Sequence, residues 1–76
     1  MKEVLETIVK NIVENPEAVS VTQKEEAEKV VLEVKVAESD MGRIIGKQGK
    51  IANSIRTLMK ALAGREQKRV SVEFLD

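Results

Sequence analysis

The segment Gly42–Ile51 interleaves glycine, cationic and branched apolar residues more closely than any other part of the chain. Within it, Gly46 and Gly49 are separated by two polar residues, Lys47 and Gln48. Glycine has no Cβ, so it permits a sharp turn or a close approach of the backbone to a ligand. A helix that begins directly behind such a turn presents free N–H groups and a positive dipole end. The segment therefore predicts a phosphate-binding turn.

Two common nucleotide-binding motifs are excluded at this turn. A Walker-type loop has four residues between its glycines, and its lysine is followed by Ser or Thr. Here Gly42 and Gly46 are separated by three residues, and Gln48 stands where the magnesium-binding hydroxyl is required. The Gly-x-Gly of a dinucleotide fingerprint is absent as well. The turn is therefore predicted to grip a continuous polyanion such as a nucleic-acid backbone.

The distribution of charge supports a polyanionic partner, although the formal net charge is zero. Eight cations and one acid lie between Arg43 and Arg69, which gives this part a charge of +7. Residues 1–42 carry five lysines and ten acids, and Glu73 and Asp76 add two more acids. A local positive field of this kind steers an anionic partner toward the glycine turn. Four of the cations are expected to be solvated and to act only through that field: Lys60, Arg65, Lys68 and Arg69.

The residue types that are missing limit the possible chemistry. The chain has no cysteine and no histidine, which removes disulfides, thiolate metal sites and the usual general base. We therefore expect no enzyme activity, no catalytic residue, no metal and no cofactor, and we interpret the acids Glu25, Glu26 and Glu28 as a charged turn. No apolar stretch is long enough for a signal peptide or membrane span, so a soluble cytoplasmic protein with no membrane partner is expected.

The N-terminal part is predicted to form one helix and two strands. The helix runs from Lys2 to Glu14 and ends at Asn15-Pro16. Period-two alternation predicts a strand at 18–22, with Val19 and Val21 inward, and a second strand at 30–36. A hairpin-like charged connection at 23–29 joins them. In the second strand four residues share the inner face (Val30, Leu32, Val34 and Val36), and Val31 is expected to be exposed on the outer face.

Two helices and a strand are predicted around and after the glycine turn. Ser39-Asp40 offers an N-cap for a short helix over 41–45. A longer helix begins at Lys50 and has Gly64 as its C′ residue. Its apolar face comprises Ile51, Ile55, Leu58, Met59 and Leu62, with Ala52 and Ala61 as small packing positions. A basic loop leads from it to a strand at 70–74 with Phe74 facing inward.

This order of elements predicts an α+β fold of the form α-β-β-α-α-β in a single domain, residues 1–76. The first two strands should pair antiparallel because their connection is short. The crossover from the second to the third strand contains helices, so that pair should run parallel with a right-handed connection. The result is a three-stranded mixed sheet with helices packed on one face.

The residues Ile44–Ile51, followed by Ile55, resemble the signature of a KH domain: an apolar pair, Gly-x-x-Gly, and a helix with isoleucine at its start. The order of elements resembles the type II KH arrangement over essentially the full length. The resemblance implies a non-catalytic protein that binds single-stranded RNA. The small size resembles that of a bacterial KH subgroup, which implies an RNA chaperone linked to cell-wall growth and cell shape. It also implies a homodimer, or a heterodimer with a larger KH-containing protein.

The same resemblance implies which residues contact RNA. The loop would hold the backbone, with further cations near phosphates and apolar residues beside the bases: Gly46, Lys47, Gln48 and Gly49, then Arg43, Lys50 and Arg56, then Ile45 and Ile51. A residue of the second strand, Val34 or Val36, would line the same groove. The alternative is a KH-fold protein-interaction module with negligible RNA binding, whose partner surface is the first helix or a sheet edge.

Overall fold

A computed structural model of the protein describes residues 1–75; Asp76, counted above among the acids, lies outside the described residues. The elements are α1 (Lys2–Ile12), a short 3-10 turn (Pro16–Ala18), β1 (Ser20–Glu26), β2 (Lys29–Lys35), α2 (Glu38–Arg65) and β3 (Arg69–Leu75). The backbone leaves helical geometry at 46–49, which divides α2 into two halves, 38–45 and 50–65. The predicted order α-β-β-α-α-β and the α+β class are thereby confirmed.

The sheet has β2 at its centre, antiparallel to β1 and parallel to β3. Val21 of β1 lies opposite Val34 of β2, and Val72 of β3 lies opposite Leu32. Parallel neighbours need a long crossover connection, and α2 supplies it. The prediction of a mixed three-stranded sheet is confirmed.

The core lies between one face of this sheet and the two helices, and it is built from alternating strand positions. Leu5 and Val9 of α1 are fully buried, as is Met59 of α2. The sheet and the C-terminal half of α2 contribute the rest: Val21, Val30, Leu32, Val34, Val70, Val72, Ile55 and Ala63. Phe74 is half-buried against this cluster, as its predicted inward orientation requires. The core residues alternate along β2 and β3, and strand pairing places Val21 opposite Val34, so all of them lie on one face of the sheet. The core therefore confirms the prediction that helices cover one face.

Two predictions about the hairpin were wrong. The connection at 23–29 is not a loop: β1 continues to Glu26, and only Ala27 and Glu28 form the turn. Beyond Val21, β1 is exposed, and charged side chains are what an edge strand needs to discourage pairing with other chains. Val31 is also not exposed, with 9% of its surface accessible. Its strand is central, so Lys24 and Ser71 flank it on both sides.

The two helix ends also differ from the predictions. Helix α1 stops at Ile12 rather than Glu14. Helix α2 continues through Gly64, and the residue in the left-handed C′ conformation is Gln67, with φ of 57°. Two hydrogen bonds close that end: the Lys68 N–H donates to the Ala63 oxygen at 2.9 Å, and the Gln67 N–H donates to the Gly64 oxygen at 3.1 Å. This is a Schellman arrangement. Ala61 is exposed, and Ala63 is the small residue that packs in the core.

The position of this cap predicts opposite effects for two glycine changes. Gln67→Gly should raise the free energy of unfolding by about 0.5–1 kcal/mol, because glycine adopts the left-handed conformation without the steric cost that the Gln67 Cβ imposes. Gly64→Ala should stabilise by a similar amount, since Gly64 is inside the helix and nothing lies within 4 Å of an added Cβ. Urea denaturation of both variants measures this. Destabilisation by Gly64→Ala would place the C′ residue at Gly64 instead.

Candidate nucleic-acid interface

The Gly-x-x-Gly loop, residues 46–49, is a break of unusual conformation inside α2. Gly46 is extended, with φ of −59° and ψ of 169°. Lys47, Gln48 and Gly49 then follow one another in the left-handed region, with φ of 53°, 63° and 70°. Left-handed backbone costs an ordinary residue roughly 1–2 kcal/mol. Two consecutive strained side-chain-bearing residues at an exposed loop are the kind of feature that clusters at functional sites.

The two glycines of the loop serve different purposes. Gly49 needs glycine for its positive φ; the nearest group to an added Cβ is the Asn53 amide nitrogen at an ordinary 3.7 Å. Gly46 has a φ that any residue adopts, and nothing lies within 4 Å of an added Cβ. Neither conformation nor internal packing therefore requires glycine at position 46. What its missing side chain leaves is open space beside the chain, which suits close approach by a ligand backbone.

The polar side chains of the loop are free to contact a ligand. Lys47, Gln48 and Lys50 are exposed, and together with Asn53, Ser54 and Thr57 they line a shallow polar surface on the following half of α2. The ion pairs found among residues 1–75 involve the N-terminal amine, Lys10, Lys24 and Arg43. None of the seven cations from Lys47 to Arg69 is paired within those residues. The positive charge predicted for this half is therefore not neutralised internally.

Asp40 fixes the helix that leads into the loop. The residue is 1% exposed, and its carboxylate accepts hydrogen bonds from the backbone N–H groups of Glu14 (3.0 Å) and Asn15 (3.1 Å). The Asn15 side-chain amide donates a third, at 3.3 Å. Asp40 was predicted as a local N-cap, and this was wrong: α2 begins at Glu38 and is capped by Ala37. The carboxylate instead takes the N–H groups that would have continued α1, which is why α1 ends early.

The surroundings of Asp40 also set its ionisation. The hydrogen bond from the Glu14 N–H, reinforced by those from Asn15 and by the charge of Arg43, holds the pKa of the Asp40 carboxyl below its ordinary value. Burial acts in the opposite direction without overcoming them. The Arg43 guanidinium lies 3.4 Å from a Glu14 carboxylate oxygen and 3.9 Å from one of Asp40. In the free protein Arg43 is thus held beside acids at the end of α1.

An apolar groove with a volume of about 840 Å³ opens beside the loop. Its lining comes from the residue after β2, the first half of α2, the first residue of the loop and the end of β3: Val36, Glu38, Met41, Gly42, Ile45, Gly46 and Leu75. Ile45 is 46% exposed there, so the structure brings this predicted residue next to the loop. Of the two strand residues considered, Val36 lines the groove, whereas Val34 is fully buried in the core.

Glu38 and Leu75 line this groove although neither was predicted from the sequence to belong to the site. Leu75 reaches the groove only because β3 runs parallel to β2 and ends at the same edge of the sheet. Glu38 is the one charged residue of the lining, and it lies before the glycine-containing segment Gly42–Ile51. The predicted parallel pairing of β2 with β3 was the available signal, because it places the end of β3, and so Leu75, beside the end of β2.

Two of the predicted contact residues lie away from the groove. The Arg56 Nε donates to the Val72 carbonyl oxygen at 3.1 Å, and its guanidinium carbon lies 5.5 Å from the centre of the Phe74 ring. This side chain therefore ties α2 to β3. Ile51 is 39% exposed but is not part of the groove lining. The roles of Arg56 and Ile51 in RNA binding stay predictions.

Comparison with known proteins identifies the family. Residues 2–74 match the family model described as "KhpA/KhpB, KH domain". The chain belongs to the KhpA/KhpB family of KH domains. This confirms the resemblance inferred from Ile44–Ile51, and the fold is that of a type II KH domain.

Relatives of this KH domain match it from end to end. Those of Clostridium acetobutylicum and Caldanaerobacter subterraneus subsp. tengcongensis are each 51% identical over 75 residues, covering 99% of this chain and the whole of the relative. The relative from Listeria monocytogenes is 40% identical over 76 residues and covers both chains completely. All three bear the name RNA-binding protein KhpA.

Two features are absent from the described part of this KH domain. Within residues 1–75, no helix has the length and apolar character needed to cross a membrane. The same residues contain no cluster of three or more acidic, histidine or cysteine side chains arranged to hold a metal ion.

The contacts of Asp40 predict how the KH domain responds to acid. A carboxyl whose pKa is lower in the folded state contributes stability above its unfolded pKa of about 3.9, and that stability is lost as the pH falls through the folded pKa. Asp40→Asn should therefore unfold at a lower temperature than the parent at pH 7. The gap in Tm should narrow below about pH 4.

The control for this measurement is Ser39→Ala, an exposed change in the same helical turn. It should leave the pH profile of Tm unchanged. A gap between the parent and Asp40→Asn that stays constant down to the acid limb would mean that the Asp40 charge does not stabilise the fold.

Proposed function

We propose that this KH domain is a non-catalytic RNA-binding protein that grips single-stranded RNA through the Gly-x-x-Gly loop. The observation that carries the proposal is the loop itself, where the bare backbone of Gly46 adjoins an open apolar groove and the next residue, Lys47, is exposed and has no ion pair within residues 1–75. The names of the KhpA relatives support RNA as the partner. The Gly-x-x-Gly loops of KH domains clamp about four nucleotides.

In this proposal the loop holds the sugar-phosphate backbone. Gly46 and Gly49 let the chain lie close to the phosphates, Lys47 supplies positive charge, and Gln48 supplies a neutral donor. The N–H groups at the start of the second half of α2, from Lys50 onward, add positive potential. These contacts fix the register of the strand and give the affinity a dependence on salt. Arg43 would join them by exchanging its acidic partners for phosphate.

The bases would lie in the groove, against Val36, Met41, Ile45 and Leu75. The charges at the two sides of this site favour one orientation of the strand. Glu38 repels phosphate, whereas Lys47 attracts it, so the backbone is drawn to the loop and the base edges face the other side. A carboxylate accepts hydrogen bonds only, which makes Glu38 an acceptor for base amino and imino groups.

The finer aspects of the function follow from the family resemblance. We propose that residues 1–76 act as one KH domain in the cytoplasm, as an RNA chaperone whose targets affect cell-wall growth and cell shape. Each is a proposal about the protein in its cell. The loop and groove account only for how the domain would hold RNA.

A protein partner is a second proposal, and one observation favours it. Ile51 and Leu58 are 39% and 45% exposed, and they lie two turns apart on one flank of α2. Large apolar side chains in such a row commonly pack against another protein surface. We propose that this flank pairs with a second copy of the chain, or with a larger KH-containing protein of the KhpB/Jag type.

Reversing the charge of the loop should abolish most of the RNA binding. The double variant Lys47→Asp, Gln48→Asp should bind a short single-stranded RNA at least about tenfold more weakly at low salt, because it replaces attraction to phosphate by repulsion. Its fold should be intact, since Asp tolerates left-handed backbone better than Lys or Gln. Fluorescence anisotropy at two salt concentrations measures the affinity, and urea denaturation measures the stability.

A variant with the same change of charge elsewhere serves as the control. Lys2→Asp, Gln23→Asp alters exposed positions on α1 and β1 and should reduce binding much less. If the loop variant binds as tightly as the parent, the loop does not grip RNA. The protein-interaction alternative then becomes the better account.

The apolar flank predicts a change in assembly that is separate from RNA binding. Leu58→Gln should shift the equilibrium toward monomer in sedimentation experiments, because it removes exposed apolar surface from the proposed contact. The affinity of each chain for a short RNA should stay within about twofold, since the change leaves the phosphate contacts intact. An unchanged sedimentation profile for Leu58→Gln would move the partner surface elsewhere.

A further inference from the structure

The second half of α2 has a flank that is polar and basic from Asn53 to Lys60. No acid occurs between Met41 and Arg65. Lys60 follows Ile51 by about two and a half turns, so it lies on the opposite flank from the exposed apolar residues. Asn53 and Arg56 share the flank of Lys60, and the bond from Arg56 to Val72 shows that this flank faces β3. It begins next to the polar surface beside Lys47.

This flank ends in a concentrated group of cations. A depression of about 390 Å³ is lined by Lys29, Lys60, Lys68 and Arg69 around the buried Val70. We call these four cations the basic end. They come from three places in the sequence: the start of β2, the last turns of α2, and the loop into β3. None of them forms an ion pair within residues 1–75, and no acid lines the depression.

The helix dipole does not account for this arrangement. Cations are favoured in the last turn of a helix, where they offset its negative end. The cation in the last turn of α2 is Arg65, which is not part of the depression. Acids are nearby on the hairpin side, where Glu25 and Glu28 line a second depression together with Lys29, Lys68 and Arg69, although no ion pair joins them within residues 1–75. The depression that contains Lys60 has no acidic lining residue, so a local positive potential remains on this side of the basic end.

We propose that the basic end is a second contact for RNA phosphates, reached by the strand after it leaves the Gly-x-x-Gly loop. This inference rests on the proposed function and extends it from a short clamp to a track along α2. Lys50 and Lys60 are separated by about 15 Å along the helix axis, at 1.5 Å per residue. An RNA of about four nucleotides, the length held by the loop, would therefore not reach the basic end, whereas a longer RNA would.

The chemistry of the basic end determines what kind of contact it makes. Lysine ammonium groups are point charges that attract phosphate without reading sequence. The only apolar side chain of the depression is buried, so no surface is offered to a base. The contact should therefore raise the affinity for longer RNA regardless of its sequence. It should also increase the dependence of that affinity on salt.

The test uses NMR chemical-shift titration to compare two RNA lengths for the parent and two variants. The probes are single-stranded RNAs of about four and about twelve nucleotides. The basic-end variant is Lys60→Gln, Lys68→Gln; the control with the same loss of charge is Lys2→Gln, Lys24→Gln. The ratio of variant to parent Kd is taken at each length, which cancels the larger number of binding registers on the long RNA.

The basic-end variant should weaken binding of the long RNA by roughly three- to tenfold and leave the short RNA within about twofold. For the long RNA, the slope of log K against log salt should fall by about 1.4, corresponding to two phosphate contacts. Amide signals of Lys60, Lys68 and Arg69 should shift with the long RNA only. The control variant should show neither effect.

Two results would overturn the inference while leaving the proposed function intact. Equal losses for both lengths would mean that the cations act only through their long-range field. No loss, with basic-end amides that do not shift, would leave the surface for a different partner such as an acidic protein. Failure of the parent to bind either RNA, or unchanged binding by the loop variant, would instead overturn the proposed function.

Discussion

The arrangement of the site depends on one buried carboxylate. Asp40 accepts three hydrogen bonds from Glu14 and Asn15, and these end α1 and hold its last residues against the start of α2. The first half of α2 is only about two turns long, too short to be stable without tertiary contacts. Met41 and Ile44 pack inward beside Asp40, so polar and apolar contacts together fix this segment. The Gly-x-x-Gly loop is thus carried on an anchored support.

A rigid support explains how the loop keeps an unfavourable backbone. Lys47 and Gln48 adopt left-handed conformations, and because both side chains are exposed, no buried contact of their own offsets the conformational cost. The strain persists because the helix halves on either side are held by Ile44 and Ala52, both buried. A loop held in this way is organised before it meets a ligand, which lowers the entropy lost on binding. The two polar side chains remain exposed and accessible to a ligand.

The sequence predicted the elements better than it predicted their connections. Periodicity located the strands and the core residues of β2, because alternation of apolar residues such as Leu32 and Val34 records burial directly. The Gly-x-x-Gly spacing located the loop because glycine is common where the backbone adopts a positive φ, as it does at Gly49. Contacts between distant residues left no such record. Asp40 binds groups 25 and 26 residues away, and its position before a helix favoured the local N-cap interpretation. Leu75 joins the groove only through strand pairing.

The way this domain would bind RNA is limited by its single aromatic residue. Other RNA-binding folds gain much of their affinity by stacking bases on aromatic side chains. Phe74 is half-buried, and Arg56 lies over its ring, so it is not open to a base. The groove offers aliphatic side chains instead, which favour burial of a base without strong selectivity. In the proposed mode of binding, affinity would then come mainly from phosphate contacts, which weaken as the salt concentration rises. A chain with zero net charge can gain such affinity by separating its charges. Acids are concentrated near α1 and the hairpin, and none of the cations from Lys47 to Arg69 forms an ion pair within residues 1–75.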